Sequence, residues 1–239
     1  MSRVAIVAAL EREMRPLIKG WRVSQREVSG RRFRFFEKDA FVVVCGGIGA
    51  EAARRAAEAV IASYAPTVLY SVGFAGGLDP ALKVGDVVQP RRVVNASDGS
   101  SINFAQGDGV LVSFGSVANP AQKAKLKDSF QAHAVDMEAA AVARSAEARG
   151  AAFVVVKVIS DEFDFNFPAM ERFVDPNGQF MEGRFALFTT LRPWLWARVA
   201  RLSRNSNRAS RALCDRLRAM MAAISAGSAV DTEEAVNRR

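Results

Sequence analysis

Short apolar runs alternate along this chain with stretches of helical spacing. Val4–Ala9 contains no polar residue, Phe41–Cys45 is wholly apolar, and Thr67–Val72 is nearly so. The longest such run is Phe153-Val-Val-Val-Lys-Val-Ile-Ser-Asp161, in which six of the first seven residues are apolar and four of those are valine. A run of this kind fits a strand of a parallel sheet covered on both faces. Between the runs lie helical stretches: Leu10–Met14, punctuated by Pro16 and Gly20; Glu51 to about Tyr64, rich in alanine; Asn119-Pro120 to about Asp128; and Asp136 to about Arg149, closed by Gly150. Trp21–Val28 and Phe33–Glu37 alternate in the manner of strands, with Gly30 marking a hairpin turn. Gly46-Gly-Ile-Gly49, between a strand and a helix, reads either as backbone N–H groups open to an anion or a ligand hydroxyl or as a tight turn. Thr67–Val72 runs into the glycine-rich segment Gly73–Leu78, Lys83–Val88 opens a strand, Asn95–Gly109 reads as a polar surface loop, and Val110–Phe114 is a strand. Interleaved strands and helices predict an α/β fold: a single domain with a mixed, largely parallel central sheet flanked by helices.

The last part of the chain changes character. Phe185–Trp196 is rich in aromatic and aliphatic residues, and arginines then recur at 198, 201, 204, 208 and 211, at the spacing of one helical stripe. Val199, Leu202 and Leu213 can face the other way. This predicts a C-terminal basic amphipathic helix, and a division into a globular domain at 1–183, a helical extension at 184–225 and a frayed polar tail at 226–239.

The chain has 239 residues, half of them hydrophobic, enough for one sizeable core. Its formal charge is +8, and 185–223 alone carries eight arginines against Asp215. The basic character therefore belongs to the tail, on an otherwise near-neutral body. Cys45 and Cys214 form no disulfide framework or metal pattern. A single histidine, His133, lies between alanines and reads as structural. No metal or organic cofactor is implied. Without a signal peptide or an apolar run of membrane-spanning length, the expected location is cytoplasmic, with the tail peripheral on the inner membrane face.

In open α/β sheets ligands bind beyond the carboxyl ends of the strands. Asp161 ends the longest run, and Glu11 and Glu13 follow the first. Position alone leaves two readings of Asp161: a carboxyl at an apolar rim, suited to acid–base chemistry, or a cap on a following helix.

Three segments, in this order and spacing, carry a resemblance: Gly46-Gly-Ile-Gly49; Gly73-Phe-Ala-Gly-Gly-Leu-Asp-Pro-Ala-Leu-Lys-Val-Gly-Asp86; and Val135-Asp-Met-Glu138 followed by Val156-Lys-Val-Ile-Ser-Asp161. Over roughly residues 3 to 165 the chain resembles the nucleoside phosphorylase / methylthioadenosine–adenosylhomocysteine nucleosidase superfamily. Within it, the Gly-Phe-Ala-Gly-Gly-Leu-Asp form, the short middle loop and the Leu-Arg-Pro-Trp-Leu-Trp tail resemble the hopanoid-associated phosphorylases, tied to removal of adenine from adenosylhopane, a triterpenoid lipid. The resemblance implies cleavage of a purine N-glycosidic bond. It gives Asp161 the role of proton donor to the leaving base, worth on the order of 10²–10⁴ in rate. It gives Glu138 the ribose hydroxyls, Met137 the sugar face, and Glu13, rather than Glu11, the activation of water. Phe74, Ala75, Gly76, Val117, Ser160 and Phe163 join the substrate-binding set, with Phe114 beside Val117 and Phe165 beside Phe163 as alternatives for stacking on the purine.

The chain also departs from that pattern. Phosphate-using relatives carry a Gly-Asp-Pro-type turn where this chain has Ala8-Ala-Leu-Glu-Arg-Glu13, and a Ser or Thr where it has Phe74. Both changes favour water over phosphate as acceptor. Arg12 or Arg15 keeps inorganic phosphate open as a co-substrate. The short Gln89–Gly109 connection would leave the 5′ side of a nucleoside open to a bulky group; a plain loop deletion is the alternative. The tail reads either as a helix on an anionic membrane surface or as a helix packed on the core. Competing functions are a general methylthioadenosine/adenosylhomocysteine nucleosidase, a purine nucleoside phosphorylase, and a basic adaptor with a degenerate site. No motif for reading nucleic-acid grooves accompanies the arginines, so no nucleic acid is expected as partner. Relatives form oligomers in which a neighbour closes the site; whether this chain forms a homo-oligomer stays open, because that segment is short.

Overall fold

The computed structural model describes residues 3–166, 170–175 and 177–237, those from 228 on by their backbone alone. The expected α/β fold is present. In chain order the elements are β1 (Val4–Ala8), α1 (Glu11–Ile18), β2 (Arg22–Val28), β3 (Arg31–Lys38), β4 (Phe41–Cys45), α2 (Ala50–Tyr64), β5 (Val68–Gly77), β6 (Val87–Val88), β7 (Arg92–Asn95), β8 (Ser101–Asn103) and β9 (Val110–Ser113). There follow α3 (Pro120–Phe130), β10 (Ala134–Asp136), α4 (Ala139–Glu147), β11 (Ala152–Asp161), α5 (Glu182–Thr190) and α6 (Trp196–Asn237), with short 3₁₀ turns at Met170–Phe173 and Pro193–Leu195.

The strands join one mixed sheet in the order β2-β3-β4-β1-β5-β10-β9-β7-β8. β1 lies parallel to β4 and β5, while β11 runs parallel along the other edge of β5 and also pairs with β6. Successive residues of β1 show why the apolar runs are unbroken. Val4 and Ile6 enter one core with Met14, Leu17, Leu213 and Leu217 of α1 and α6; Ala5 and Val7 enter another with the alanine face of α2 and Val142 of α4. The sheet is therefore sandwiched between helical layers. The hairpin turn at Ser29-Gly30 has both residues at positive φ, the geometry that matches strand twist.

Three sequence expectations change. First, Gly73–Gly77 continues the strand that begins at Val68. β11 pairs with it from Gly73 to Gly76, and β10 takes the opposite edge at Gly76 and Gly77, so tertiary pairing overrides the poor strand propensity of glycine. Second, the stretch expected as a plain loop at 95–109 contains β8, which forms a hairpin with β7, and β7 itself lies in the sheet beside β9. Third, α6 runs without a break to Asn237, through most of the stretch expected to fray; no proline interrupts it, and alanine, glutamate and serine sustain the helix. Residues 238 and 239 lie outside those described.

The tail is also tied to the body. Ala209, Leu213, Cys214 and Leu217 of α6 are buried in the core with α1. Pro16 sits inside α1 and has no N–H to give the preceding turn. From α6, Ser210 Oγ donates to Glu13 O (2.9 Å), with Arg12 O at 3.5 Å, and Cys214 Sγ also reaches Glu13 O (3.5 Å).

Candidate active site

The topology opens a site in the middle of β5. β1 pairs with it as far as Ser71, and β10 takes over that edge only at Gly76. Between them the edge faces a cavity of about 660 Å³, within the range of small-ligand sites. Its lining includes Glu13 from α1, Phe74–Gly76 from β5, Ser116–Ala121 and Lys123 around the start of α3, Asp136–Glu138 between β10 and α4, Ser160 and Asp161 at the end of β11, and Leu202 and Ser206 from α6.

Glu13 is buried, and its Oε2 has no hydrogen-bond partner among the described residues. Burial, and then the neighbouring Glu138, push its carboxyl up to about 8; Lys157 and Arg12 offset only part of this. Gly73 makes room for it, since a Cβ there would lie 3.0 Å from Glu13 Oε2, and Gly73 holds φ +141, where side chains are strained. A carboxyl in this state suits a base that works near neutrality.

Glu138 stands at the N-cap of α4. Its Oε1 accepts from the backbone N–H of Gly49, the N-cap of α2, at 2.8 Å. The N-terminus of α2 thus meets this carboxylate, and Met137 N–H reaches its Oε2 at 3.3 Å. Burial nevertheless raises its pKa, with Asp136 adding to the rise and Lys157 opposing it. Lys157, the lone polar residue of the long apolar run, is fully buried. Its Nζ lies 2.8 Å from Asp136 Oδ2 in an ion pair of bent geometry, and 3.9 Å from Glu138 Oε2. Burial opposes its charge, but Asp136 and Glu138 outweigh burial and its pKa rises. Asp136 in turn accepts from Ser113 Oγ (2.6 Å) and from Ala139 N–H (2.8 Å). The result is a fixed chain of charge from β11 to the floor of the cavity.

Asp161 differs from the bare carboxyl at an apolar rim that the sequence suggests. Ser160 Oγ donates to its Oδ1 at 2.8 Å, and Lys123 Nζ lies 2.6 Å from its Oδ2. Lys123 is itself buried and donates also to Glu162 O at 2.7 Å. It comes from α3, whose start is pinned by a reciprocal capping box between Asn119 and Gln122, with Pro120 at the first turn.

Of the site residues named from sequence, Asp161, Glu13, Glu138, Met137, Phe74, Ala75, Gly76, Val117 and Ser160 share this cavity. Phe163 does not reach it. The turn closed by Phe165 N–H to Glu162 O (3.1 Å) leaves Phe163 outside, while Phe165 lines the cavity beneath the Arg201 guanidinium. Phe114 is also absent from the lining, and packs instead with Leu126 and Val135. Of the glycines at 46–49, only Gly49 turns its N–H to the site; Gly46 and Gly47 bond back to Ala8 and Ala9. Arg12 lines the cavity but already lies over the Phe180 ring and 3.9 Å from Glu182; Arg15 is not in the lining. Lys123 and Lys157 escaped sequence reasoning. Their burial depends on acids nearly forty and about twenty residues away, and only the oddity of a lysine within a valine run hinted at one of them.

The fold and the family match identify a nucleoside-processing enzyme. The family model described as "Phosphorylase superfamily" matches residues 3–120 and 104–180, and the chain belongs to that superfamily. It is an enzyme of the nucleosidase and phosphorylase kind. Among curated relatives it is 29% identical over 201 residues to the 5′-methylthioadenosine/S-adenosylhomocysteine nucleosidase of Marinomonas sp. (strain MWYL1), covering 67% of this chain and 86% of that one. The enzyme of the same name from Staphylococcus aureus (strain JH9) is 28% identical over 196 residues, covering 66% and 86%. Among solved structures, Helicobacter pylori 5′-methylthioadenosine/S-adenosylhomocysteine nucleosidase matches with a TM-score of 0.67 at 19% identity, over 92% of this chain and 97% of that one. Futalosine hydrolase from the same species gives 0.59 at 21%, over 66% and 89%. At such identities these structures speak to the fold.

Proposed function

We propose that the protein hydrolyses the N-glycosidic bond of a 5′-substituted adenosine and releases adenine. The observation that carries this reading is the convergence of Glu13, Glu138 and Asp161, from three separate elements, on one cavity. Breaking the bond leaves positive charge on the ribose and negative charge on the purine. Glu138, fixed by Gly49, accepts the ribose hydroxyls and faces the developing cation. Glu13, once ionised, takes a proton from water attacking C1′. Asp161 faces the departing base. Adenine nucleosides with a small thioether at the 5′ position are the first substrates to test, since the named relatives are methylthioadenosine/adenosylhomocysteine nucleosidases.

Water is favoured over phosphate by the charge of the lining. Glu13, Asp136, Glu138 and Asp161 face the cavity against Arg12 and Lys123, and both cations are already engaged. A phosphate dianion would enter beside Glu138 and Asp161, whose negative charge opposes it. Purified protein, freed of phosphate, is incubated with methylthioadenosine and adenosylhomocysteine, and adenine is measured by chromatography. Adenine with free ribosyl product supports hydrolysis. Turnover only on adding phosphate replaces it with phosphorolysis, and a persistent lack of adenine with every adenosine derivative removes the reading.

A second substrate reading rests on a separate observation. Leu187 of α5, Leu191 and Trp194 of the connection that follows, and Trp196 at the start of α6 are exposed, and α6 lines the cavity through Leu202 and Ser206. Exposed Arg198, Arg204 and Arg211 continue the same helix. Tryptophans beside arginines suit an anionic lipid surface, at about 1 kcal/mol per basic residue. No helix among the described residues is long and apolar enough to cross a membrane, so contact would be peripheral. This favours a substrate drawn from lipid, such as adenosylhopane. Comparing kcat/KM for adenosylhopane in anionic vesicles with that for methylthioadenosine separates the two substrates.

A further inference from the structure

The proposal above leaves the source of the proton for the departing base unassigned, and one buried cation is so far unused. Lys123 has a side-chain exposure of only 1% and is buried on α3 together with Leu126. Burying an ammonium is costly unless it is paired, so its position is set by its partners. Two acceptors are present, Asp161 Oδ2 at 2.6 Å and Glu162 O at 2.7 Å. An ammonium has three N–H bonds, and Lys123 is part of the cavity lining, where the third can meet a bound base. A second feature keeps this space open. A Cβ at residue 76 would lie 3.0 Å from Asp161 Oδ2 and 3.3 Å from Lys123 Nζ, so Gly76 leaves the room that the pair occupies.

We propose that Lys123 is a positioning residue for base release: its ammonium holds Asp161 at the departing purine and supplies, through that carboxyl, the proton the purine takes up. The inference rests on the N-glycosidase reading. In the step, the C1′–N9 bond breaks and its electron pair stays with the purine. A proton passes from Lys123 Nζ to Asp161 Oδ2, and one from Asp161 to the purine imidazole nitrogen. The oxygen of water bonds to C1′, its proton goes to Glu13, and solvent then returns a proton to Lys123 and takes one from Glu13. Sequence motifs point to Asp161 alone, because Lys123 meets it only through the packing of α3 against the end of β11.

The test compares wild type, Lys123→Met and Lys123→Arg on two substrates. Methylthioadenosine has a purine leaving group that needs a proton; p-nitrophenyl β-D-ribofuranoside has a phenolate that leaves without one. For Lys123→Met the expected result is a fall in kcat of about 100-fold on the nucleoside, at the scale of a lost general acid. The loss on the nitrophenyl riboside should be at least about tenfold smaller, with KM for the nucleoside within about threefold of wild type. The nucleoside deficit of Lys123→Met relative to wild type at the same pH should narrow as the pH is lowered towards 5, because solvent protons then replace the one Lys123 supplies, and Lys123→Arg should restore most of the rate. Equal losses on both substrates would reduce Lys123 to a structural support, and unchanged nucleoside turnover would remove it from the reaction; either overturns the inference. If Lys123→Met does not fold by circular dichroism, Gly76→Ala, which crowds the pair while keeping both charges, should give the same split between substrates. Failure of the parent reading shows in the wild-type protein, which would release no adenine; failure of this inference shows only as an active wild type with no leaving-group-dependent loss in the variants.

Discussion

Replacing Glu13 with glutamine should stabilise the fold, and increasingly so as pH rises. In the unfolded chain this carboxyl ionises near its ordinary 4.5; in the fold, burial and Glu138 hold it to about 8. Between those values the native state keeps a proton that the unfolded state has released, so stability falls as pH rises through this window. At 1.36 kcal/mol per pH unit, the gap amounts to less than about 1 kcal/mol at pH 5, about 3 kcal/mol at pH 7 and about 5 kcal/mol above pH 8. Glutamine has the same shape and no charge to lose, so it escapes this penalty. For a chain of this length about 1 kcal/mol moves Tm by roughly 2–4 °C. Glu13→Gln should therefore melt within a few degrees of wild type at pH 5 and roughly 6–12 °C higher at pH 7. The assay is thermal unfolding by circular dichroism at pH 5, 7 and 8.5 in constant ionic strength. A Tm difference that stays flat across this range, or a glutamine variant less stable at pH 8.5, would refute the account of Glu13 as a buried carboxyl pressed into its neutral form. The same variant should lose base release, so gain in stability and loss of activity come from one atom.

Other outcomes follow from the same geometry. If Glu13 must be ionised to act, kcat/KM should climb about tenfold per pH unit below pH 8 and level off above it, read from initial rates between pH 5.5 and 9. Lys157→Met leaves Asp136 and Glu138 buried without their cation, and should cost about 3 kcal/mol, seen in the urea midpoint at pH 7. Gly73→Ala places a methyl 3.0 Å from Glu13 Oε2 at φ +141; it should lower Tm by several degrees and depress kcat more than KM in steady-state assays.

Much of the layered architecture was legible because period and burial agree. β1, β4 and β11 are apolar throughout since both faces of the sheet are covered, and Asn119-Pro120 marked the start of α3 through capping chemistry that is local. Where local and tertiary preferences disagree, the sequence misled. Gly73–Gly77 is rich in glycine yet forms strand, because two neighbouring strands supply its pairing. The acids Glu13, Glu138 and Asp161 were visible as carboxylates beside strand ends or helix starts. Their cations were harder to see: Lys123 looks like an ordinary surface residue, and Lys157 is only an oddity in a valine run, until folding brings each against an acid far along the chain. Phe163 and Phe165 show how fine the limit is, since a single turn decides which ring enters the cavity.

The union of α6 with α1 has a mechanical consequence. A rod of 42 residues spans roughly 60 Å, and one of its inner turns grips the backbone carbonyl of Glu13. Shortening the rod before Ser210 would remove the grip of Ser210 and Cys214 on that carbonyl, so the terminal helix works as a brace for α1 rather than as an appendage.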